Sequence, residues 1–259
     1  MLTIGVDAGR QTVKVVVAEG QQILGHATVR TGINVDAASE RAIEEALTHG
    51  GRDRADVQRI MSTGAGRRDV RSACAWTSEV VSDGKGAIAL YPSVRTIVDL
   101  GAEECRSIKI NAEGRVLDFA KNEKCASGVG IFLESMAKVL ESDVVALGEL
   151  ALTSEEDIAV NTTCAVFAES EVVSLVHTGA DPADIARAIY SAVATRTVSV
   201  AKRTGLEQDI VLIGGVARSV GFLVPFKRQL GLPVIIPDFP EIVGAYGAAL
   251  LAQNGGGQE

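Results

Sequence analysis

One signature occurs twice in the chain: a β-branched apolar run that ends in Asp-x-Gly, as VDAG at 6–9 and again as VDLG at 98–101. The surroundings repeat as well. Residues 2–8 (LTIGVDA), 13–18 (VKVVVA) and 22–29 (QILGHATV) read as three strands separated by glycine-containing turns. Residues 94–100 (VRTIVDL), 105–111 (CRSIKIN) and 115–120 (RVLDFA) read as three more. Identity between the halves is slight, but the shared order predicts an α/β protein with two similar subdomains facing each other across a cleft. We expect the first subdomain at 1–93 plus 244–259 and the second at 94–243.

Helices are expected between these runs. Residues 36–48 have an acidic start, Asp36 as capping residue and an alanine-rich interior. Residues 182–204 place Ile185, Ile189, Ala192, Val193 and Val200 on one apolar stripe. Residues 210–216 (IVLIGGV) read as a buried strand ending in glycines, residues 244–252 as a helix of small residues, and residues 253–259 as a frayed end.

Composition removes several classes of function. The 259 residues are 47% hydrophobic, enough for a sizeable core. No run of about 18 apolar residues is present, and the start MLTIGVDAG carries neither a basic region nor a small-residue cleavage site, which predicts a cytoplasmic protein without a membrane partner. A net charge of −8 and only ten aromatic residues argue against nucleic acid. The four cysteines, at 74, 105, 125 and 164, are too widely spaced to indicate a disulfide framework in a chain without a secretion signal, leaving metal ligands or reduced core thiols.

An Asp-x-Gly turn after a strand can present N–H groups to phosphate oxygens, through Gly9 and Gly101, and a carboxylate to hydrated magnesium, through Asp7 and Asp99. Gly214 and Gly215, followed by Val216, allow close approach of a flat ligand such as adenosine. Gly244 and Gly247 suit tight helix packing. Any one of these alone is an ordinary turn. In this order, over nearly the whole length, they resemble the sugar kinase, Hsp70 and actin superfamily. That resemblance implies duplicated actin-like or RNase H-like ATPase subdomains around a nucleotide cleft, binding ATP with Mg2+. No Gly-x-x-x-x-Gly-Lys-Ser/Thr run supports a P-loop enzyme.

Cys125 in NEKCASGVG and Cys164 in NTTCAVFAESEVVSL each follow a polar lead-in and precede a segment of helical spacing: Val129, Phe132, Leu133 and Met136 after the first, Val172, Leu175 and Val176 after the second. A helix start favours a thiolate and a negative ligand cage, so iron-sulfur ligation is open to both. On spacing alone, two small buried thiols are the preferred alternative. Cys74 and Cys105 lie in unlike segments and read as structural. A 4Fe-4S cluster usually takes four thiolates, so the pair would need a second chain to complete it.

Both cysteine segments, through Asn122, Lys124, Cys125, Ala126, Gly128 and Gly130 and through Cys164 with VFAESEVVSL, resemble those of 2-hydroxyacyl-CoA dehydratase activators and of benzoyl-CoA reductase ATPase subunits. The resemblance implies a 4Fe-4S cluster shared between two subunits, in a homodimer or a heterodimer with a similar subunit. It also implies ATP hydrolysis coupled to low-potential electron transfer, a ferredoxin- or flavodoxin-type donor, and an acyl-CoA reductase or dehydratase component as acceptor. ATP-driven closure of the cleft is the expected switch.

Two segments depart from the family. Where activators often carry Ser-Thr after the first Asp-x-Gly, this chain has Arg10 and Gln11, so Gln11, Thr12, Lys14 or backbone amides must meet the phosphates. Where many activators have Asp-x-Gly-Gly-Gln-Asp, this chain has Asp99, Leu100, Gly101, Ala102, Glu103 and Glu104, a form closer to the reductase type. Glu104 adds a carboxylate suited to act as general base or to tune magnesium, alongside Asp7 and Asp99. The rival reading is a small-molecule kinase of the same superfamily, in which the cysteines are incidental.

Overall fold

The computed structural model describes residues 1–122, 129–156, 158–160 and 165–255. The chain divides into two compact units, one formed by Met1–Ile97, Ile108–Asp118 and Asp238–Glu259, the other by Val98–Ser107 and Phe119–Pro237.

In the first unit β1 (Leu2–Ala8), β2 (Thr12–Glu19) and β3 (Gln22–Arg30) form an antiparallel meander, and β4 (Arg59–Thr63) and β5 (Ala75–Trp76) extend it in parallel, giving the order β3-β2-β1-β4-β5. Strand β2 is valine-rich because both its faces are covered. Val13, Val15 and Val17 pack with Ala38, Ala42, Ile43 and Ala46 of α1 (Val35–Gly50). Val16 and Ala18 pack with Ala245, Tyr246 and Ala249 of α8 (Val243–Gln253). Each such valine contributes about 1.5–3 kcal/mol on burial. Helix α2 (Glu79–Leu90) packs on α8 through small residues: a Cβ on Gly247 would collide with the Ser82 carbonyl oxygen.

The second sheet has the order β10-β9-β6-β7-β8, with β6 (Thr96–Leu100), β7 (Cys105–Ile110), β8 (Val116–Lys121), β9 (Ile210–Ile213) and β10 (Val234–Ile235). Read from its other edge this is the order of the first sheet, so the duplication inferred from two Asp-x-Gly runs is present in the topology. The helices of the second unit surround α6 (Pro182–Lys202), whose N-terminus is set by Pro182 and capped by Asp181 accepting from Ala183 N. All five residues of the expected stripe on α6 are buried. Ile185, Ile189, Val193 and Val200 share one core with Phe132, Leu133 and Met136 of α3 (Val129–Val139), Leu147 of α4 (Val144–Leu150), Val172 of α5 (Ala165–His177) and Phe222 and Phe226 of α7 (Val220–Leu230).

The structure refines three local readings. The cap of α1 is Asn34, whose Oδ1 accepts from Ala37 N, while Asp36 lies two residues further in, within the first turn, and accepts from Arg71 N. Val176 of α5 is exposed, while among the described side chains of that helix Ala168 and Val172 reach the core and Leu175 is partly buried. Strand β9 stops at Ile213, and Val216 belongs to a short 3-10 turn at Gly215–Arg218.

Candidate functional site

The first Asp-x-Gly closes a tight turn between β1 and β2. Gly9 N donates to Thr12 O at 3.1 Å, and the far side is tied to the end of β3, with Thr31 N donating to Gln11 O at 3.0 Å and Thr31 Oγ1 to Gly9 O at 2.9 Å. Asp7 and Lys14 are cross-strand partners, which places the ammonium 3.0 Å from Asp7 Oδ2. Asp7, Gly9, Gln11, Thr12 and Lys14 thus occupy one hairpin end, with Arg10 exposed at its tip.

The second Asp-x-Gly repeats this construction. Gly101 N donates to Glu104 O at 2.9 Å, closing the turn between β6 and β7. Arg106, seven residues after Asp99 as Lys14 is seven after Asp7, donates from Nη1 to Asp99 Oδ2 at 2.7 Å. Its Nε reaches Glu104 Oε2 at 3.0 Å, and Lys121 Nζ holds the other oxygen of Glu104 at 3.1 Å. Burial by itself would raise the Glu104 pKa, but the hydrogen bonds and charges of Lys121 and Arg106 outweigh it and hold the carboxyl below its ordinary value. A carboxylate so held is a weak proton acceptor and a good anchor for Arg106. Asp99 is buried, whereas Ala102 and Glu103 are half-buried on the turn.

A glycine seals each aspartate from the neighbouring strand end. Gly64, after β4, has φ +90°, and a Cβ there would lie 2.5 Å from Asp7 Oδ1. Gly214, after β9, has φ +89°, and a Cβ there would lie 2.7 Å from Asp99 Oδ1. The left-handed backbone and the close carboxylate both require glycine. Beyond it the chain opens out, because a Cβ on Gly215 would meet nothing within 4 Å, while the Val216 side chain is buried. Gly244, the second residue of α8, faces Asp83 of α2, where a Cβ would lie 2.7 Å from Asp83 Oδ1.

Cys125 and Cys164 lie outside the described residues; α3 begins at Val129 and α5 at Ala165. The other two cysteines have separate settings. Cys105 is buried in the second unit, and desolvation followed by the nearby Asp99 charge pushes its thiol up to about 12. Cys74, expected to be buried, is exposed in the first unit, its Sγ donating to Ile60 O at 3.2 Å. Among the described residues no group of three or more His, Cys, Asp or Glu is placed to hold a metal ion.

Arg106, Lys121, Gly64 and Thr31 were absent from the sequence-based site. The seven-residue offset of Asp7/Lys14 and Asp99/Arg106 is a signal the sequence carries, but it acquires meaning only once the strands are paired in register.

Residues 4–252 match the model of the BadF/BadG/BcrA/BcrD ATPase family. The chain belongs to this family. The chain is similar to the 2-hydroxyisocaproyl-CoA dehydratase activator of Clostridioides difficile, 37% identical over 97% of this chain and 95% of the relative. The solved structure of that activator with bound ADPNP matches with a TM-score of 0.91 over 98% of this chain and 95% of the other. Component A of the Acidaminococcus fermentans (R)-2-hydroxyglutaryl-CoA dehydratase is 33% identical, with a TM-score of 0.93 over 98% of both chains. A benzoyl-CoA reductase subunit of Thauera aromatica is 29% identical over 96% of this chain and 92% of its own length. The fold is that of the actin-like ATPase and sugar kinase superfamily. Among the described residues of this family member, no helix is long and apolar enough to cross a membrane.

Proposed function

We propose that the chain is an ATP-hydrolysing, electron-donating activator of a 2-hydroxyacyl-CoA dehydratase, working as a dimer whose subunits share a 4Fe-4S cluster. The observation that carries this reading is near-full-length likeness to dehydratase activators at up to 37% identity, against 29% for the reductase component. The same relatives favour electron donation over a small-molecule kinase.

The donor set suits magnesium nucleotide. Asp7 and Asp99 are carboxylates, each already balanced by a cation, Lys14 or Arg106, and each standing at a turn with backbone amides. In the proposed roles Asp7 and Asp99 hold the hydrated magnesium, and Gly9, Gln11, Thr12, Lys14, Gly101, Ala102 and Glu103 meet the phosphates. Gly214, Gly215 and Val216 carry the adenosine, and Gly244 sets the packing of α8. Glu104 orients Arg106 toward the developing phosphate charge.

For the cluster, the two described cysteines do not fit. Cys105 keeps its proton and its burial, and Cys74 belongs to the other unit. The proposed ligands are therefore Cys125 and Cys164 from each of two subunits. When bound, such a cluster supplies one low-potential electron, taken from a ferredoxin- or flavodoxin-type donor and passed to the dehydratase component.

The test separates the two halves of the site. Cys125→Ala or Cys164→Ala should empty the dimer of iron while Cys74→Ala and Cys105→Ala retain it. Asp7→Asn and Asp99→Asn should lower ATP hydrolysis by about 100-fold, the scale of losing one preorganised charge at a reacting centre, with iron content unchanged. Full iron in the Cys125 and Cys164 variants, or undiminished hydrolysis in both aspartate variants, would refute the assignment.

A further inference from the structure

The second turn hydrogen-bonds in two directions at once. Gly130 N donates to Gly101 O at 3.2 Å and Ile131 N donates to Ala102 O at 3.0 Å. Those N–H groups belong to the first turn of α3, where a helix supplies no acceptors of its own, so the turn is the cap of α3. The approach is close: a Cβ on Gly130 would lie 3.1 Å from Ala102 Cα. In a planar trans peptide the N–H points opposite to the C=O. The N–H groups of Ala102 and Glu103, which share peptide units with the two capping carbonyls, therefore point away from α3.

The same turn is braced from β8. Cys105 N donates to Asn122 Oδ1 at 2.8 Å, Asn122 N donates back to Cys105 O at 3.2 Å, and Asn122 Nδ2 makes a long contact of 3.5 Å to Glu103 O. Lys121, the preceding residue, holds Glu104. Residues on both sides of the segment 123–128 are thus bonded to one five-residue turn, and all of these bonds lie within the second unit.

We propose that the peptide units 101–102 and 102–103 are a nucleotide sensor for α3, with Asn122, bonded to the following peptide units at Glu103 O and Cys105 N, as the positioning residue that braces the turn behind them. Phosphate oxygens take the Ala102 and Glu103 N–H groups while α3 holds the carbonyl ends of the same units. A bond at one end polarises the other and strengthens it, and any tilt of the planes toward phosphate moves both capping carbonyls. ATP and ADP differ in the γ-phosphate, and a differential contact there is what a shift between states requires. Coupling then runs through two rigid peptide planes inside one unit. The inference rests on the nucleotide-binding part of the function proposed above.

Amide hydrogen exchange of the full-length chain, resolved to Gly130 and Ile131, tests it in ADP and in a non-hydrolysable ATP analogue with magnesium. Wild type should exchange these two amides about tenfold more slowly with the analogue, the effect of strengthening one hydrogen bond each. Asn122→Ala should bind the analogue within about threefold of wild type and lose most of that difference, whereas Asn122→Asp, which keeps the acceptor for Cys105 N, should restore it. A merely structural Asn122 would speed exchange equally in both nucleotide states. Equal rates in wild type that binds both nucleotides would overturn the sensor and leave the proposed function standing; absence of nucleotide binding would overturn both. If Asn122→Ala does not fold, the wild-type comparison decides alone.

Discussion

Cys74 and Cys105 have the same side chain and opposite chemistry, and the difference is environment. Cys105 has no water to stabilise a thiolate and has Asp99 to oppose one, so at pH 8 a thiol near 12 is ionised in about one molecule in ten thousand. Iodoacetamide at pH 8 should label Cys74 and leave Cys105 untouched until the chain is unfolded, as read by peptide mapping. Labelling of Cys105 in the folded protein would contradict its protonation. The sign for stability follows: the folded thiol is raised above its unfolded value of 9.0, so its contribution is complete below pH 9 and is lost as pH rises toward 12. Residue identity in the sequence could assign neither setting, because cysteine's habit of burial holds for one of the two.

Elements that bury an apolar run were legible, and elements that bury small or polar residues were not. Strands β1, β2, β3, β6, β7 and β8 and helices α6 and α8 stand where their β-branched runs or apolar stripes indicated. Strands β4 and β5 were missed because one begins at an exposed Arg59 and the other has two residues. Helix α2 was missed because its buried face is Ser82, Asp83, Gly84, Gly86 and Ala87, a pattern that reads as a loop. The reason for that face is the backbone of α8. Gly247→Leu should force the helices apart, cost about 1–3 kcal/mol or more by overpacking and lower the melting temperature by several degrees. A melting temperature equal to wild type would show that the α2–α8 contact yields. In α5 the helical spacing of Val172, Leu175 and Val176 indicated the helix but not which residues the core would claim: Val172 is buried and Val176 exposed.

At the scale of the whole molecule, the duplication was readable in six residues, Asp7, Ala8, Gly9 and Asp99, Leu100, Gly101, and the two sheets of matching order follow from it. Less was legible of the site, because its parts come from residues far apart in sequence: Gly64 and Gly214 behind the aspartates, Arg106 between two carboxylates, Asn122 under the turn. The central claim is that nucleotide state governs a cluster held by Cys125 and Cys164. The most direct measurement is the rate at which an iron chelator bleaches the visible absorption of anaerobically purified protein with ATP and with ADP. The account predicts a brown protein whose bleaching rate differs between the two nucleotides, a difference that Gly101→Val erases by blocking the phosphate from the second turn. A colourless protein, or one that bleaches at the same rate with both nucleotides, would contradict it.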